Sequence, residues 1–347
     1  MLTAKKFRDI NPSDPFFDSL KADYVEFPDW FGRKENETAY VFESDSGSIE
    51  GFLYLKSEDG AITDVSPPLP PKTRIKVGTF KINPHGTKLG ERFVKKIFDH
   101  AIANQVDEIY VTVFSKHAPL IRIFERYGFS RVATKTTENG EELVLIKQFG
   151  ANQLDPLLRY PQVDKSSRAF LLSLWPQWHT RLLPDSILRN ESASIVEDVS
   201  HANSIHKVYL AGMGGMEVLM PGDNIVIYRT SDEPGRARFR AVVTSVCVVE
   251  EYRNIDSFPD EASFVAYFDP YSIFTSAELS DLWRTKRYPH VIRFTYNIAL
   301  PRRLTRGHLL DTVGLEASAY WGFMRLTSQQ FEKILEDSGV NENLVVN

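Results

Sequence analysis

The strongest pattern of hydrophobic and polar positions lies between residues 74 and 129. Residues 74–82 alternate and are rich in β-forming side chains, which predicts a strand. Apolar residues then recur at helical spacing from Gly90, which predicts a helix. The turn between them, residues 83–90, combines small and polar residues. Such a strand, turn and helix direct free backbone N–H groups and the positive end of the helix dipole at one point, so we expect a phosphate or pyrophosphate to bind there.

The rest of the first half alternates between helical and strand patterns. Residues 108–114 are nearly all apolar, which is typical of a strand inside a sheet, and the prolines of residues 60–72 exclude a regular element. Further elements are predicted as a helix over 15–30, strands over 39–44 and 49–56, a helix over 119–128 and a strand over 142–147. This order predicts an α/β layer with its ligand at the strand ends.

The pattern becomes β-rich after Gly150. Prolines end one predicted strand at residue 176, and the turn 221–223 leads into another. The predicted elements are strands over 170–175, 205–210, 224–229, 236–249 and 291–294, with helices over 178–184, 276–283 and 328–335. Thr327 is expected to cap the last helix.

Length and composition narrow the classes of protein. A chain of 347 residues favours two domains, and 42% hydrophobic with 25% charged residues is a globular composition. The single cysteine, Cys247, excludes an intrachain disulfide framework and is expected to be buried in a strand. The net charge of −5 argues against a chain-wide affinity for nucleic acid, although a local basic face remains open. Without an apolar membrane span, a cytoplasmic protein is expected.

Residues 82–90 and 120–129 together resemble the GNAT superfamily of acyl-CoA-dependent N-acetyltransferases, over roughly residues 1–150. Members usually carry a hydrophobic-x-Pro segment before Arg/Gln-x-x-Gly-x-Gly/Ala, and later a Leu-Tyr-Glu-Lys-x-Gly-Phe-like helix. The resemblance implies a GNAT-like mixed sheet with helices and acetyl-CoA as co-substrate. The cofactor-binding residues that it implies are Phe80, Lys81, Ile82, His85, Gly86, Thr87, Lys88, Leu89, Gly90, His117 and Phe124.

Four positions depart from the family pattern, and one of them is His117, which stands at the usual Asn. His85 replaces the usual Arg or Gln, and Lys88 replaces a usual glycine. Phe124 stands where members commonly have a tyrosine that donates a proton to the leaving thiolate, which a benzyl ring cannot do. A bound CoA is therefore better supported than catalysis.

The catalytic base is left open by the sequence. His117, at the position of the family's usual Asn, and Glu50 or Glu43 on the early strands are candidates that would act through water. Solvated surface carboxylates remain the alternative interpretation of both glutamates.

The second half, about residues 168–336, resembles the PUA-like group, particularly ASCH or EVE-type domains. Residues 221–229, the following long strand and residues 321–327 carry this resemblance, which implies a β-rich barrel with a pocket for RNA or a modified base. Basic and aromatic residues could contact phosphates and stack on bases, although a solvated face and core tryptophans remain the alternative. The candidates are Lys207, Arg229, Arg238, Trp283 and Arg303.

The sequence therefore predicts a GNAT-like domain over 1–150, a linker over 151–167, a PUA-like domain over 168–336 and a tail over 337–347. The function that we expect is acetyl transfer to RNA, an RNA-linked amine or a nucleic-acid-associated protein. The alternative is a non-catalytic regulator that binds CoA and RNA or tRNA. The resemblance also implies a PIN-type nuclease partner in a toxin–antitoxin setting. The histidines show no metal-ligand spacing, so no metal is expected.

Overall fold

A computed structural model of the chain describes residues 2–44, 46–83, 88–150, 153–186, 204–269 and 271–347. The chain divides into two units, residues 1–149 and residues 150–347, and each unit has its own main sheet.

The first unit has a seven-stranded sheet in the order β1-β2-β3-β4-β5-β7-β6. Its strands are β1 (Leu2–Lys6), β2 (Thr38–Glu43), β3 (Ile49–Glu58), β4 (Arg74–Ile82), β5 (Glu108–Phe114), β6 (Ser130–Thr137) and β7 (Gly140–Gln148). Its helices are α1 (Asp18–Asp23), α2 (Phe27–Arg33), α3 (Leu89–Ala103) and α4 (Ala118–Arg126). All neighbouring strands are antiparallel except β4 and β5, which are parallel. The mixed α/β layout expected for this half is confirmed.

Aromatic and aliphatic side chains cover both faces of this sheet. On one face, Phe17, just before α1, packs edge-on against Phe52 of β3, and Phe31 of α2 packs against the same ring at a tilt of 33°. On the other face, α3 buries the apolar positions that its helical spacing predicts, and Phe93 is fully buried. Gly51 of β3 allows this contact, since a Cβ atom there would lie 2.6 Å from Cζ of Phe93.

Two local predictions in the first unit are wrong. The helix expected over 15–30 is interrupted at residues 24–26, because Pro28 is tolerated only in a first helical turn and a new helix begins at Phe27. The strand β6 was missed, because this edge strand is mostly exposed and carries no alternating apolar pattern.

The second unit has a six-stranded sheet in the order β10-β13-β12-β11-β9-β14. Its strands are β8 (Val163–Asp164), β9 (Ala169–Leu174), β10 (His206–Ala211), β11 (Asn224–Arg229), β12 (Val242–Asn254), β13 (His290–Thr305), β14 (Phe323–Leu326) and β15 (Val345–Val346). Its helices are α5 (Pro156–Arg159), α6 (Pro176–Leu182), α7 (Ala237–Arg240), α8 (Glu261–Phe268), α9 (Ser276–Thr285), α10 (Arg306–Asp311) and α11 (Ser328–Asp337).

The sheet of the second unit is open and contains several bulges. Three register shifts between β12 and β13 mark bulges, which increase the twist of a strand pair. Within the described residues, β10 and β14 are edge strands that do not pair with each other. The β-rich character expected for this half is present, whereas the PUA-like barrel is not confirmed.

Several elements of the second unit differ from the predictions. The strand expected over 236–249 begins at Val242, since residues 237–240 form α7 after the Pro234-Gly235 turn. The strand expected over 291–294 is part of the much longer β13, and α8 was not predicted. The expected linker and tail contribute β8 and β15, which pair in parallel.

Other predictions in this unit are confirmed. Thr327 caps α11, and its side chain accepts a hydrogen bond from the Gln330 amide. Cys247 is fully buried in β12. Across the described ranges, we find no helix that combines the length and apolar character needed to cross a membrane.

The close contact at Gly51 yields a stability prediction. We expect Gly51→Ala to destabilise the protein by about 1 to 3 kcal/mol, because the added methyl group must displace the buried ring of Phe93. The matched control is Gly32→Ala in α2, where nothing lies within 4 Å of the added Cβ atom. That change should be neutral or stabilise by up to about 1 kcal/mol. Chemical denaturation of the full chain measures both, and equal effects would contradict the packing at Gly51.

Candidate functional site

The parallel strands β4 and β5 separate near their carboxyl ends. They pair only from Ile75 to Val77 on β4, opposite Ile109 to Val111 on β5. Beyond these residues, β4 continues to pair with β3 and β5 continues to pair with β7. The two strand edges therefore face each other across an opening instead of exchanging hydrogen bonds. An opening of this kind leaves backbone donors and acceptors for an extended ligand.

A β-bulge lies beside this opening. Tyr54 pairs with Thr79 and Leu55 pairs with Val77, so Gly78 is the extra residue of β4. A bulge changes the direction of the neighbouring backbone groups. Gly78 also lies against the Tyr54 ring, since a Cβ atom there would be 2.6 Å from Cδ1 of that ring. Only glycine fits this position without moving the tyrosine.

A cavity of about 510 Å³ lies where the strands separate. Its wall comes from the α1–α2 region, from β3, β4 and β5, and from the β6–β7 hairpin. Of the residues that the sequence singled out, Phe80 and His117 line it, whereas Lys81, Ile82, Leu89, Gly90 and Phe124 do not.

Phe124 lies in the core beside the opening. Its side chain is fully buried and packs edge-on against Phe80, at 5.5 Å between ring centroids, and against Phe129, at 4.9 Å. The environment is therefore apolar and aromatic. No hydroxyl group is present at this position to donate a proton.

The N-terminus of α3 is the expected phosphate position. Lys88 has φ 56° and ψ 21°, the left-handed conformation that favours glycine, which gives a physical reason for a glycine in the family pattern. The amides of Leu89 and Gly90 have no acceptor in the described part of the chain. A Cβ atom at Gly90 would lie 2.9 Å from Ile123, so glycine lets α3 approach α4 closely.

The turn before α3 carries three further candidates. His85, Gly86 and Thr87 lie outside the described residues. Lys81 extends its ammonium group over the Phe16 ring, at 5.1 Å from the centroid. Ile82 ends β4 and lies near Gly90.

His117 forms a polar pair at the cavity. Its Nε2 lies 3.0 Å from Oδ2 of Asp23, which also accepts a hydrogen bond from Lys116. Although partial burial raises the pKa of Asp23, the hydrogen bonds from Lys116 and His117 bring it below its usual value. Asp23 is thus an ionised carboxylate that orients the His117 ring. This arrangement suits proton transfer, because the imidazole is held at the cavity wall.

The glutamate candidates lie elsewhere. Glu50 is on β3, where its carbonyl accepts a hydrogen bond from the Asn83 amide at 2.8 Å, and its side chain does not line the cavity. Glu43 forms an ion pair with Lys5 at 2.7 Å. The structure therefore brings His117, but neither glutamate, to the strand opening.

Tyr24 and Glu142 form a second polar pair that the sequence did not single out. The Tyr24 hydroxyl donates to Oε1 of Glu142 at 2.7 Å, and both residues line the cavity. Burial, with the neighbouring carboxylate, raises the pKa of Tyr24 well above its usual value. The two residues are 118 positions apart in sequence. The sequence pattern indicates that Tyr24 lies among apolar residues and that a strand begins near Glu142, but it does not indicate that the two side chains meet.

The basic candidates of the second unit do not form one surface. Lys207 and Arg229 are buried, at 1% and 3% exposed, and Arg303 is half-buried. Burial, with the charges of Arg229 and Arg303, lowers the pKa of the buried His179 to about 3. Arg238 is exposed and forms an ion pair with Asp311. We therefore place Lys207 and Arg229 in the interior and not on an RNA-facing surface.

A second cavity, of about 1060 Å³, lies in the second unit. Trp175 is 66% exposed at its wall and Tyr320 is 62% exposed. The rings of Tyr228 and Trp321 lie 5.2 Å apart, and the Arg306 guanidinium group lies 4.3 Å from the Trp321 ring centroid. The walls thus combine flat aromatic surfaces with a cation. Trp283, which the sequence singled out, does not line this cavity and instead packs on Phe264 of α8.

Comparisons with known proteins find solved structures that are similar to parts of this chain. No protein-family model matches it, and no curated protein sequence matches it either. It is similar to a mutant of ZmASCH from Zymomonas mobilis, at 11% identity over 48% of this chain and 94% of that chain, with a TM-score of 0.32.

Two further solved structures are similar to a comparable extent. Naa20 from Chaetomium thermophilum, solved in complex with a bisubstrate analogue, matches at 16% identity over 43% of this chain and 86% of that chain, with a TM-score of 0.29. NAA60 from Arabidopsis thaliana, also in complex with a bisubstrate analogue, matches at 14% identity over 44% of this chain and 100% of that chain, with a TM-score of 0.30. Each of these three matches covers less than half of this chain.

Proposed function

We propose that the first unit is a GNAT-type N-acetyltransferase that uses acetyl-CoA and binds its amine acceptor in the 510 Å³ cavity. The observation that carries this proposal is the separation of β4 and β5 after Val77 and Val111, with the bulge at Gly78 beside it. An acyl-pantetheine arm is an extended chain with amide groups. It fits between two strand edges because those edges offer backbone donors and acceptors. The pyrophosphate then lies at the N-terminus of α3.

The chemistry requires orientation and charge stabilisation. The lone pair of a neutral amine forms a C–N bond with the thioester carbonyl carbon, and the C–S bond breaks. The nitrogen loses one proton, and the sulfur leaves as a thiolate that is protonated to free CoA. A backbone N–H beside Gly78 polarises the carbonyl oxygen during this step. His117 accepts the proton through a water molecule, with Asp23 as the positioning residue.

Phe124 does not prevent this reaction. A thiol has a pKa near 8.5, so a thiolate is a stable leaving group near neutral pH and its protonation can follow from solvent. The buried aromatic contact at Phe124 keeps water from one side of the strand opening. The rival function is binding without transfer, in which the chain regulates RNA or a PIN-type nuclease.

The proposed acetyltransferase function predicts both binding of acetyl-CoA and transfer of its acetyl group. Acetyl-CoA should raise the melting temperature of the full chain in a concentration-dependent way, because it binds the native state, and labelled acetyl groups should pass to an amine. Thr112→Trp places an indole in the cavity and should reduce transfer to background. The control Thr136→Trp, on an exposed position of β6 outside the cavity, should transfer normally.

The outcomes separate the two functions. A melting shift without transfer to protein, RNA or small amines supports the regulator. If acetyl-CoA neither raises the melting temperature nor donates its acetyl group, the first unit does not bind acetyl-CoA and both functions are contradicted.

The second prediction concerns His117. His117→Ala should lower kcat about 100-fold, because the amine proton loses its acceptor, while the KM for acetyl-CoA stays the same. Added imidazole should restore part of the rate, which a purely structural role would not allow. His100→Ala, on α3 outside the cavity, is the matched control. An unchanged kcat in His117→Ala would assign the proton transfer to another group.

We further propose that the second unit binds RNA and stacks a base in its aromatic cavity. Exposed Trp175 and Tyr320 and the Tyr228–Trp321 pair support this, since aromatic faces stack on unpaired bases. Arg306 and Arg287 at the same walls supply positive charge for a phosphate. In this proposal, the second unit holds the protein on an RNA or tRNA.

Single-stranded RNA tests this second proposal. Trp175→Ala should weaken binding about 10-fold, because one stacked base contributes roughly 1 to 3 kcal/mol, and affinity should fall with salt. Phe239→Ala removes an aromatic side chain that is 75% exposed but does not line the cavity, so affinity should be unchanged. Equal losses in both variants would contradict a base bound in this cavity.

A further inference from the structure

More positive than negative side chains line the acceptor cavity of the first unit. Among the described residues that line it, five side chains are cationic and two are carboxylates. Both carboxylates already accept hydrogen bonds from neutral donors, Glu142 from Tyr24 and Glu26 from the Asn139 side chain at 3.0 Å. The cationic residues are Arg33, Lys34, Lys56, Lys76 and Lys135.

Three of these lysines form a cluster with too few counter-charges. Lys56 and Lys76 are opposite each other on β3 and β4, and both approach Oε1 of Glu58, at 2.5 Å and 3.8 Å. Lys135 of β6 pairs with Asp64 at 2.6 Å. These three ammonium groups share Glu58 and Asp64 as ion-pair partners. Glu37, which pairs with Lys34 at 2.7 Å, also acts on Lys56. Four lysines thus share three carboxylates, which leaves one positive charge in excess at the cavity wall.

Lys76 is the most constrained member of this cluster. Its side chain is only 20% exposed, and its ammonium group lies 5.3 Å from the centroid of the Tyr110 ring. Burial lowers the pKa of Lys76, and the neighbouring Lys135 and Lys56 lower it further against the opposing effect of Glu58. An anionic group that binds here would supply the missing counter-charge in a site partly screened from water.

Lys76 lies close to Gly78, where the proposed reaction takes place. Lys76 precedes the bulged Gly78 by two residues, and a strand rises about 3.3 Å per residue, so their Cα atoms are about 7 Å apart. An acceptor that reaches both points carries its anionic group a few bonds from its amine.

We propose that the acceptor of the first unit is a small primary amine that also carries a carboxylate or a phosphate, and that Lys76 and Lys56 bind this anionic group. This inference rests on the proposed acetyltransferase function. The anionic group bound at the lysines orients the molecule so that its amine points toward the bulge. A cationic acceptor such as a polyamine is disfavoured by the same charges.

Matched amine pairs test the inference. The full chain is assayed with acetyl-CoA and ω-amino acids from glycine to 6-aminohexanoate, each paired with the ω-amino amide of equal length, and with aminoalkyl phosphonates. We expect kcat/KM to favour the carboxylate over its amide about 10-fold at the best chain length, because the amide cannot form charge-assisted hydrogen bonds with the two lysines. The phosphonate series shows which anionic group is preferred.

Lysine variants test the residues. Lys76→Met should bring the ratio between carboxylate and amide close to one, and Lys56→Met should reduce it, while the KM for acetyl-CoA stays the same in both. Lys6→Met, an exposed position of β1, is the matched control and should keep the wild-type ratio. Melting temperatures verify that each variant is folded.

The failures are distinguishable. Equal transfer to amides and carboxylates, or a preference that survives in both Lys76→Met and Lys56→Met, overturns this inference and leaves the acetyltransferase in place. Absence of transfer to every amine overturns the acetyltransferase and this inference together.

Discussion

The site in the first unit depends on the short pairing between the parallel strands β4 and β5. Two adjacent parallel strands would normally continue to exchange hydrogen bonds, yet β4 and β5 do so over only three residue pairs. Each then keeps its other neighbour, which holds the separated edges open. The bulge at Gly78 and the fit of the Tyr54 ring over that glycine belong to the same arrangement. The cavity, the oriented histidine and the lysine cluster all lie around this opening.

The chemistry around the opening is divided between two kinds of surface. On one side of it, the rings of Phe80, Phe93 and Phe124 pack edge-on in an aromatic cluster. On the other side, the cavity wall carries His117, which is paired with Asp23, the Tyr24–Glu142 pair and five cationic side chains. A proton acceptor on the polar side suits the proposed amide formation from a thioester. Phe124 gives the aromatic side no hydroxyl group.

In the second unit, two basic residues that the sequence suggested for RNA binding are buried. Arg229 and Lys207 are basic, yet they lie inside the sheet and contribute to a polar interior. The exposed aromatic side chains lie instead around a large cavity whose walls come from α6, β10, β11, α9 and the segment before β14. The RNA-binding surface that we propose would rest more on aromatic stacking than on a basic face, which agrees with the net negative charge of the chain.

Local sequence patterns determined most of the elements of this protein. The bounds of β4, β5 and β11, the cap at Thr327 and the buried position of Cys247 follow from alternation, helical spacing and capping chemistry, which act between near neighbours. These patterns did not predict the edge strand β6 or the short helix α7, because β6 is mostly exposed and α7 is only four residues long.

The composition of the site was decided by tertiary structure. His117 was visible in the sequence, but Asp23, Tyr24 and Glu142 join it through contacts across 94 to 118 residues that no local period encodes. The bulge at Gly78 and the shared counter-charge of Lys56 and Lys76 likewise depend on strand register. Register and burial arise when separate segments pair and pack, so the elements could be predicted one by one while the charges and distances between them could not.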